Sequence, residues 1–470
     1  MTTGGLAGRR RPQAVIIGAG FTGLSAAWEL ARRGIEVTVL ESDAAVGGLA
    51  GSFDVGGTKL EKFYHHWFTN DRAVHDLVRD LGVEDRIVYR PTRTGMYFAN
   101  RFYRLSTPAD VLRFTALRAG ARIRLGLLAL RARRVTDWRA LEDLTAAEWL
   151  LKLGGPEVYR VVWQPLLEGK FGPYGPQISA VWIWNKLKLR GGSRDARGAE
   201  MLAYYRGGFA ALAERLAEGV RSAGGTIRLG APATGLVVHR GRVAGVQSGT
   251  ELVRADAVIA TPALPVVADL VEPHAPAAYV ERLRRIRYLA NVCLVLELDR
   301  SLSDTYWLNV NDPAFPFVGV VEHTNFEPSD TYGGRHVVYL SKYLPESAAL
   351  WGMSDHQVLE YSIPHLQRMF PAFAREWILN AHVWRARWSQ PIVERRYGRL
   401  IPGRETPLPG LYLATMAQVY PEDRGTNYAI RDGRAAGRQA AGDLAPMAIP
   451  RPRDSGGQSA AEARPRLVRT

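Results

Sequence analysis

The chain reads Ala14-Val15-Ile16-Ile17-Gly18-Ala19-Gly20-Phe21-Thr22-Gly23-Leu24 near its start. An apolar strand here enters a Gly-x-Gly-x-x-Gly turn, and the pattern predicts a helix from about Leu24 to Arg33. A second strand follows, Glu36-Val37-Thr38-Val39-Leu40, and it runs into the acid Glu41. This order of strand, glycine turn, helix, strand and acid is typical of a dinucleotide-binding βαβ unit.

Each residue type in this turn suits a nucleotide. Gly18 permits the tight turn, Gly20 lets a pyrophosphate approach the backbone, and Gly23 lets the helix pack closely on the sheet. The helix then directs its free N–H groups and positive dipole end at the phosphate, and Phe21, within the turn, is predicted to contact the cofactor as well. We expect Glu41, with Ser42 beside it, to accept hydrogen bonds from an adenosine ribose. No arginine stands next to Glu41, so FAD or NAD fits better than NADP.

A second glycine pair decides between these two cofactors. Gly47-Gly48-Leu49 comes just after the second strand, and in this position it resembles the FAD-dependent amine oxidase, protoporphyrinogen oxidase and phytoene desaturase superfamily. The resemblance implies that Gly47, Gly48 and Leu49 lie against FAD. The chain departs from the family pattern at Ala45, where many members place an arginine close to the diphosphate.

A distant segment strengthens the resemblance. Gly410-Leu411-Tyr412-Leu413-Ala414-Thr415 is followed by Gly425-Thr426-Asn427-Tyr428-Ala429-Ile430 and then Gly433-Arg434. In the superfamily, such a strand and helix start close the site around the flavin. A helix N-terminus there offers N–H groups to the flavin edge that gathers negative charge on reduction. Thr415, Thr426, Asn427, Tyr428 and Ala429 are therefore predicted to bind the cofactor.

The same resemblance divides the chain. We expect an α/β fold: a Rossmann-like FAD-binding domain assembled from residues 13–70, 205–275 and 407–443, and an α+β substrate domain formed by residues 71–204 and 276–406. Residues 1–12 are predicted to be a disordered basic leader and residues 444–470 a disordered tail. The region from Asp71 to Asp195 is expected to be largely helical, and that from Val280 to Arg396 strand-rich.

The candidate catalytic residues lie in Phe63-Tyr64-His65-His66-Trp67-Phe68. Adjacent histidines in an aromatic run need partners when they are buried, and their titration range suits proton transfer. Either His65 or His66 could instead bond only to backbone and stack on the flavin. The stretch His66-Trp67-Phe68 also resembles the His-x-Phe segment of UDP-galactopyranose mutase, although the second histidine of the mutase would fall on Thr69.

Three clusters are candidates for substrate binding. The first contains Lys170 and Trp182; its tryptophan also fits the core face of a helix. The second is Glu322 and His323, which follow an apolar strand and fit a strand-end turn equally well. The third is Tyr420, which with Tyr428 could form an aromatic wall at the flavin.

Charge and composition restrict the partners. The formal net charge is +15, and arginines crowd residues 101–134, where Asp110 is the single acid. Phe114, Leu117, Ala121, Leu125 and Leu128 share one face at helical spacing, with arginines beside and behind them. This segment fits either a helical surface that contacts anionic lipid, or a helix that packs on the core while its arginines are solvated. Gly120 and Gly126 would interrupt that helix. No nucleic-acid motif accompanies the charge.

The remaining composition favours a cytoplasmic globular protein without a metal. Cys293 is the one cysteine, so it has no internal disulfide partner, and no Cys/His cluster has zinc-like spacing. No apolar run reaches the roughly 20 residues that a membrane-crossing helix needs.

The sequence thus predicts an FAD-dependent oxidoreductase that takes a hydride from a C–H bond of a small-molecule substrate, lipophilic or an amine. Two alternatives stay open at this point. One is a mutase-like flavoprotein that isomerises a nucleotide sugar without net redox change. The other is a flavin-free binding scaffold at a membrane, which the two cofactor-like segments disfavour.

Overall fold

The structure is a computed structural model that describes residues 10–105, 107–193 and 200–445. Most of the predicted leader and tail lie outside these residues. The strands are β1 (Gln13–Ile17), β2 (Glu36–Leu40), β3 (Ser52–Val55), β4 (Thr58–Glu61), β5 (Trp67–Phe68), β6 (Ile87–Pro91), β7 (Thr94–Phe98), β8 (Arg101–Arg104), β9 (Met201–Tyr205), β10 (Thr226–Arg228), β11 (Gly235–His239), β12 (Arg242–Ser248), β13 (Glu251–Arg254), β14 (Ala257–Ala260), β15 (Tyr288–Leu298), β16 (Trp307–Val310), β17 (Gly319–Glu322), β18 (His336–Leu344), β19 (Ile378–Pro391) and β20 (Leu411–Leu413).

The α-helices are α1 (Phe21–Ala31), α2 (Arg72–Asp80), α3 (Pro108–Leu112), α4 (Ala119–Arg134), α5 (Ala146–Val158), α6 (Gln164–Phe171), α7 (Ala180–Gly192), α8 (Gly208–Ser222), α9 (Leu264–Val271), α10 (Ala277–Arg284), α11 (Ala349–Gly352), α12 (Asp355–Met369) and α13 (Thr426–Leu444). The expected α/β fold class is confirmed. Helix α1 begins at Phe21, directly after the glycine turn, and not at Leu24.

A five-stranded parallel sheet in the order β10-β2-β1-β14-β20 forms the centre of the nucleotide-binding part. Its central strand β1 pairs with β2 on one side and with β14 on the other, so that Ile16 lies opposite both Val39 and Ile259. Alternate residues of β1 enter two cores. Ala14 and Ile16 pack with α1, α8 and α13, whereas Val15 and Ile17 pack with residues of β11, β12 and α9. The apolar run of this strand is thus explained by burial on both faces.

Helices α1 and α13 pack at very short distance. A Cβ placed on Gly433 would lie 2.2 Å from the carbonyl oxygen of Thr22, and one on Gly437 would lie 2.8 Å from that of Ala26. Two glycines four residues apart therefore let the backbones of the first and last helices touch. This contact places the N-terminus of α13 on the same side of the sheet as the glycine turn.

The second part of the molecule is built on a seven-stranded sheet in the order β19-β15-β18-β17-β16-β7-β8. The strand-rich character of residues 280–396 agrees with this sheet, although α10 and α12 interrupt it. The expectation of a largely helical region from residue 71 to 195 is wrong for β6, β7 and β8. Strands β7 and β6 pair with partners distant in sequence, β16 and β9, and β8 forms a hairpin with β7. Such long-range pairing overrides local preference.

Helix α4 runs without a break through Gly120 and Gly126, so the predicted interruption is also wrong. Nothing lies within 4 Å of a Cβ placed on either glycine, and the helix is held by its buried residues Leu125 and Leu128. Thr107 and Pro108 start α3, in which Thr107 and Asp110 form a capping box.

The α1–α13 contact predicts the effect of a single methyl group. Gly433→Ala should lower the free energy of unfolding by about 1–3 kcal/mol, because the methyl would overlap the Thr22 carbonyl. The control is Gly442→Ala in the same helix, where nothing lies within 4 Å of the new Cβ, and it should change stability by less than about 1 kcal/mol. Urea denaturation of both variants measures the difference; equal effects would contradict the packing.

Candidate functional site

The glycine turn leaves the start of α1 open to a ligand. Helix α1 has Gly20 as its N-cap with no side-chain hydrogen bond to the helix, so its first N–H groups are available. Gly18 has φ +99°, a conformation that favours glycine. A Cβ on Gly23 would lie only 1.9 Å from the carbonyl oxygen of Gly18, so the third glycine is required by the turn itself.

Glu41 lies at the end of β2, directly beneath this turn. Its carboxylate is buried and accepts hydrogen bonds from the backbone N–H of Ala19 at 2.6 Å and of Asp43 at 2.9 Å. The exposed Ser42 donates its hydroxyl to the same carboxylate at 3.1 Å. The acid that the sequence assigns to a ribose therefore also holds the turn in place.

The second glycine pair docks directly on the first turn. Gly47 donates its N–H to the carbonyl of Ala19 at 2.9 Å and forms a parallel bridge with Gly20. A Cβ on Gly48 would lie 3.3 Å from the Cα of Gly20. The two predicted cofactor segments thus meet backbone to backbone, and Leu49 continues from them into a cavity.

The distant C-terminal segment completes the same site. Helix α13 begins at Thr426 without a side-chain cap. The hydroxyl of Thr426 accepts a hydrogen bond from the Trp67 indole at 2.7 Å, and the Asn427 side-chain oxygen accepts one from the backbone N–H of Val74 at 3.3 Å. The hydroxyl of Thr415, at the end of β20, is buried without a partner. An orphaned hydroxyl and two uncapped helix starts fit a long, phosphate-bearing cofactor such as FAD.

A cavity of about 500 Å³ joins these parts. Residues from the second glycine turn, the aromatic run, the helical region, the large sheet and the start of α13 line it. They include Leu49, Phe63, Tyr64, His65, His66, Trp67, Leu125, Trp163, Lys170, Trp182, Lys186, Asn291, Trp307, Tyr343, Asp423, Arg424, Thr426, Asn427 and Tyr428. Ala429, one turn into α13, donates its N–H to the carbonyl of Gly425.

Both candidate catalytic histidines line this cavity. His65 has Nδ1 at 2.6 Å from the carbonyl of Phe63, and burial lowers its pKa to about 4. At neutral pH it is therefore uncharged, with Nδ1 donating to the carbonyl and Nε2 left as an acceptor. His66 has Nδ1 at 2.9 Å from the hydroxyl of Tyr306.

Of the predicted substrate residues, Lys170 and Trp182 line the cavity, whereas Glu322, His323 and Tyr420 do not. Glu322 accepts hydrogen bonds from the backbone and hydroxyl groups of a turn at residues 301–303. His323 is buried with Nε2 at 2.7 Å from the Tyr332 hydroxyl, and Tyr420 donates to Glu142 at 2.6 Å. These polar contacts belong to local structure, and the assignment of the three residues to the substrate stays a prediction.

Several buried polar residues, some of them in the cavity, were not predicted from the sequence. Glu61, at the end of β4, is buried and accepts hydrogen bonds from the backbone of Phe209 at 2.5 Å and the hydroxyl of Tyr204 at 2.8 Å. Lys186 and Asp423 form a 2.7 Å ion pair in the cavity. Lys186 lies one helical turn after Trp182, and this spacing could have indicated from the sequence that Lys186 shares a helix face with Trp182.

Within the described residues, no group of histidine, cysteine or acidic side chains is arranged to hold a metal. The helices of the same part of the chain include none long and apolar enough to cross a membrane. Cys293 is buried in β15, and burial raises the pKa of its thiol, so it presents no reactive thiolate.

Comparison with known proteins agrees with this geometry. The family of flavin containing amine oxidoreductases matches residues 21–443. The chain belongs to this family, which confirms at family level the expectation of an FAD-dependent oxidoreductase.

Individual relatives match only in part. Hydroxyneurosporene desaturase of Cereibacter sphaeroides is 30% identical over 279 residues, which are 50% of this chain and 53% of that protein. The chain thus spans about half the length of this curated relative. The putative protoporphyrinogen oxidase of Exiguobacterium sp. superposes with a TM-score of 0.74 at 18% identity, covering 93% of this chain and 100% of that one. Reduced UDP-galactopyranose mutase superposes with a TM-score of 0.67 at 17% identity over 93% and 96%. These likenesses in structure show a shared fold.

Glu61 gives a pH prediction. Burial raises its pKa from 4.5 to about 7, so the folded protein holds this proton more tightly than the unfolded chain. Its contribution to stability is complete below about pH 4.5 and is lost as the pH rises through about 7. From pH 5 to pH 8 the unfolding free energy of the unsubstituted protein should fall by about 3 kcal/mol relative to Glu61→Gln.

Urea denaturation at a series of pH values measures this difference. The control is Glu218→Gln, at an exposed position of α8, whose curve should run parallel to that of the unsubstituted protein. A Glu61→Gln curve that is also parallel would refute the raised pKa.

Proposed function

We propose that the protein is an FAD-dependent dehydrogenase or oxidase that removes a hydride from a C–H bond of a mainly apolar substrate held in the cavity. The observation that carries the proposal is this single cavity, which joins Leu49, the histidine pair and the start of α13. The bound flavin would supply a hydride acceptor. The aromatic and aliphatic lining would hold the substrate and exclude water.

The residues of the chain take distinct proposed roles. Gly18, Gly20, Phe21 and Gly23 would hold the pyrophosphate with the start of α1, and Glu41 with Ser42 the ribose. Gly47, Gly48 and Leu49 would line the middle of the cofactor. Thr415, Thr426, Asn427, Tyr428 and Ala429 would hold the flavin end. His65, uncharged at neutral pH, would act as a hydrogen-bond acceptor toward the reacting region, and His66 remains the second candidate for proton transfer.

The domain boundaries follow from the same proposal. The FAD-binding domain would comprise residues 13–70, 205–275 and 407–443, and each of these three pieces contributes at least one strand to the parallel sheet. Residues 71–204 and 276–406 would form the substrate domain around the seven-stranded sheet.

Anaerobic reduction tests the proposed reaction. The purified protein should carry a flavin absorption band that bleaches when a donor with an activated C–H bond is added, and candidate isoprenoid and amine donors are compared. Turnover of UDP-galactopyranose only by the pre-reduced protein, with no net bleaching, would favour the mutase alternative. A protein that cannot be reconstituted with FAD would contradict both.

Gly20 offers a sharper test of the cofactor cradle. A Cβ on Gly20 meets its nearest neighbour, the Cα of Gly48, at an ordinary 3.9 Å, so the protein alone leaves room for a Cβ at this position. Gly20→Val should nevertheless weaken FAD binding at least tenfold, which is about 1.4 kcal/mol, because the side chain fills the space for the pyrophosphate. Gly120→Val is the control at an open position of α4. Full FAD content in a folded Gly20→Val protein would refute the cradle.

We further propose that α4 docks on an anionic lipid surface. Its buried face contains Leu125 and Leu128, but Ile123, Leu127 and Leu130 are 58%, 43% and 51% exposed. At 3.6 residues per turn these three form one apolar stripe, and exposed arginines, Arg124, Arg131 and Arg134, flank it. Gly126, Ala129 and Arg133 on the adjoining flank line the cavity, so a docked lipid surface would lie next to the substrate site. Apolar insertion and arginine–headgroup attraction together suit peripheral binding.

Vesicle sedimentation tests the docking. The protein should pellet with vesicles of phosphatidylserine and phosphatidylcholine, less so as salt rises, and not with phosphatidylcholine alone. Changing Ile123, Leu127 and Leu130 together to serine should abolish pelleting. Changing the exposed Leu229 and Leu252, which lie elsewhere, to serine should not. Equal pelleting of both multiple variants, or none by the unsubstituted protein at low salt, would overturn the docking.

A further inference from the structure

The cavity proposed to hold the substrate carries an excess of positive charge. Among the described residues that line it, the cations are Lys170, Lys186, Arg424 and Arg133, and the carboxylates are Asp71 and Asp423. Arg133 is exposed to solvent, so among the more enclosed groups three cations face two carboxylates and one positive charge remains. Charges enclosed by an apolar lining act strongly on any ligand that enters, since the surrounding dielectric constant is low.

Two of these cations share one buried carboxylate, and a third lies beside it in the chain. The Oδ2 of Asp423 lies 2.7 Å from Nζ of Lys186 and 3.7 Å from Nζ of Lys170. Arg424 follows directly in the chain, and its guanidinium donates to the Tyr343 hydroxyl at 2.8 Å and to the side-chain oxygen of Gln390 at 3.1 Å. One carboxylate thus serves two ammonium groups, while the adjacent guanidinium is held by a phenol and an amide.

Lys170 and Lys186 share Asp423 as their counter-ion, and both are largely removed from solvent. The side chains of Lys170 and Lys186 are 17% and 32% exposed, and that of Asp423 is 5% exposed. Burial lowers the pKa of both lysines, whereas Asp423 acts to raise it. Cations in such surroundings are stabilised by additional negative charge, which a ligand can supply.

Unpartnered donors in the same cavity point to the same ligand chemistry. The indole nitrogens of Trp163 and Trp182 are buried without a hydrogen-bond partner, and an indole N–H can only donate. Nζ of Lys170 lies 5.2 Å from the ring centre of Trp182, so the ammonium lies against the ring of this tryptophan. The amide oxygens of Asn291 and Asn311 are also unpartnered and would suit a hydroxyl elsewhere on the ligand.

We propose that the substrate carries a negatively charged group, a carboxylate or a phosphate, which Lys170, Lys186 and Arg424 bind together with the Trp182 indole. The inference rests on the proposed function and specifies its substrate class. Protonated amines would be disfavoured in this cavity, because their charge has the same sign as its lining. Lys170, already predicted from sequence to contact substrate, would then bind the charged end.

Ligands that share one alkyl chain test the proposal. The FAD-loaded protein is titrated with decanoate, decyl phosphate, decan-1-ol and decylamine, and binding is read from the change in the flavin absorption spectrum. At least one of the two anions should bind ten times or more tightly than decan-1-ol, and decylamine more weakly than the alcohol. The preferred anion distinguishes a carboxylate substrate from a phosphate. Tighter binding of decylamine than of both anions would overturn the proposal.

Paired variants locate the binding groups. The double variant Lys170→Gln/Lys186→Gln should lose at least tenfold in affinity for the preferred anion and change little toward decan-1-ol. Lys188→Gln is the matched control. Lys188 lies on the same helix as Lys186, but it is exposed and its ammonium lies over the ring of Trp184. Unchanged anion preference in the double variant, with an altered flavin reduction potential, would overturn the proposal by showing that these cations serve the reduced cofactor.

The same titration separates this inference from the proposed function. A protein that binds no FAD, or whose flavin no C–H donor reduces, would contradict the proposed function itself. Normal reduction by a neutral or amine donor, together with no anion preference, would contradict only the anionic substrate.

Discussion

The fold depends on contacts between backbones that only glycine allows. Gly23 packs against the carbonyl of Gly18 within the first turn, and Gly433 packs against the carbonyl of Thr22 between the first and last helices. A side chain at either position would force these segments apart. Because the two contacts lie on either side of the start of α1, they fix the helix start against both the sheet and α13. Segments some four hundred residues apart in the chain are thereby held as one unit.

This arrangement explains how a single site is assembled from distant pieces. The bridge between Gly20 and Gly47 joins the first turn to the second glycine pair, and the indole of Trp67 ties the aromatic run to Thr426 at the start of α13. Salt bridges from Arg434 to Glu29 and to Asp80 connect α13 with α1 and α2. The proposed positions of cofactor and substrate in the cavity therefore depend on these contacts between distant segments.

The sequence predicted the framework better than the cavity. The turn around Gly20 and the segment around Thr426 carry their geometry locally, in glycine spacing and helix starts, and the structure places both as expected. Strand β7 was missed because one of its partners, β16, lies about two hundred residues away, and a pairing over that distance leaves no local signal in the sequence. Glu322 and His323 looked functional at a strand end, but the turn at 301–303 and Tyr332 use their polar groups, which only the tertiary structure shows. Asp423 and Lys186 were overlooked for the same reason, since their ion pair joins α7 to a loop far along the chain.

A crystal structure of the protein loaded with FAD tests the central claim most directly. We predict the pyrophosphate at the start of α1 beside Gly20, and the flavin ring between Leu49 and Thr426 with one face toward His65 and the cavity. A flavin ring bound away from the start of α13, or a nucleotide bound elsewhere than at the glycine turn, would contradict the single long site on which every functional proposal rests.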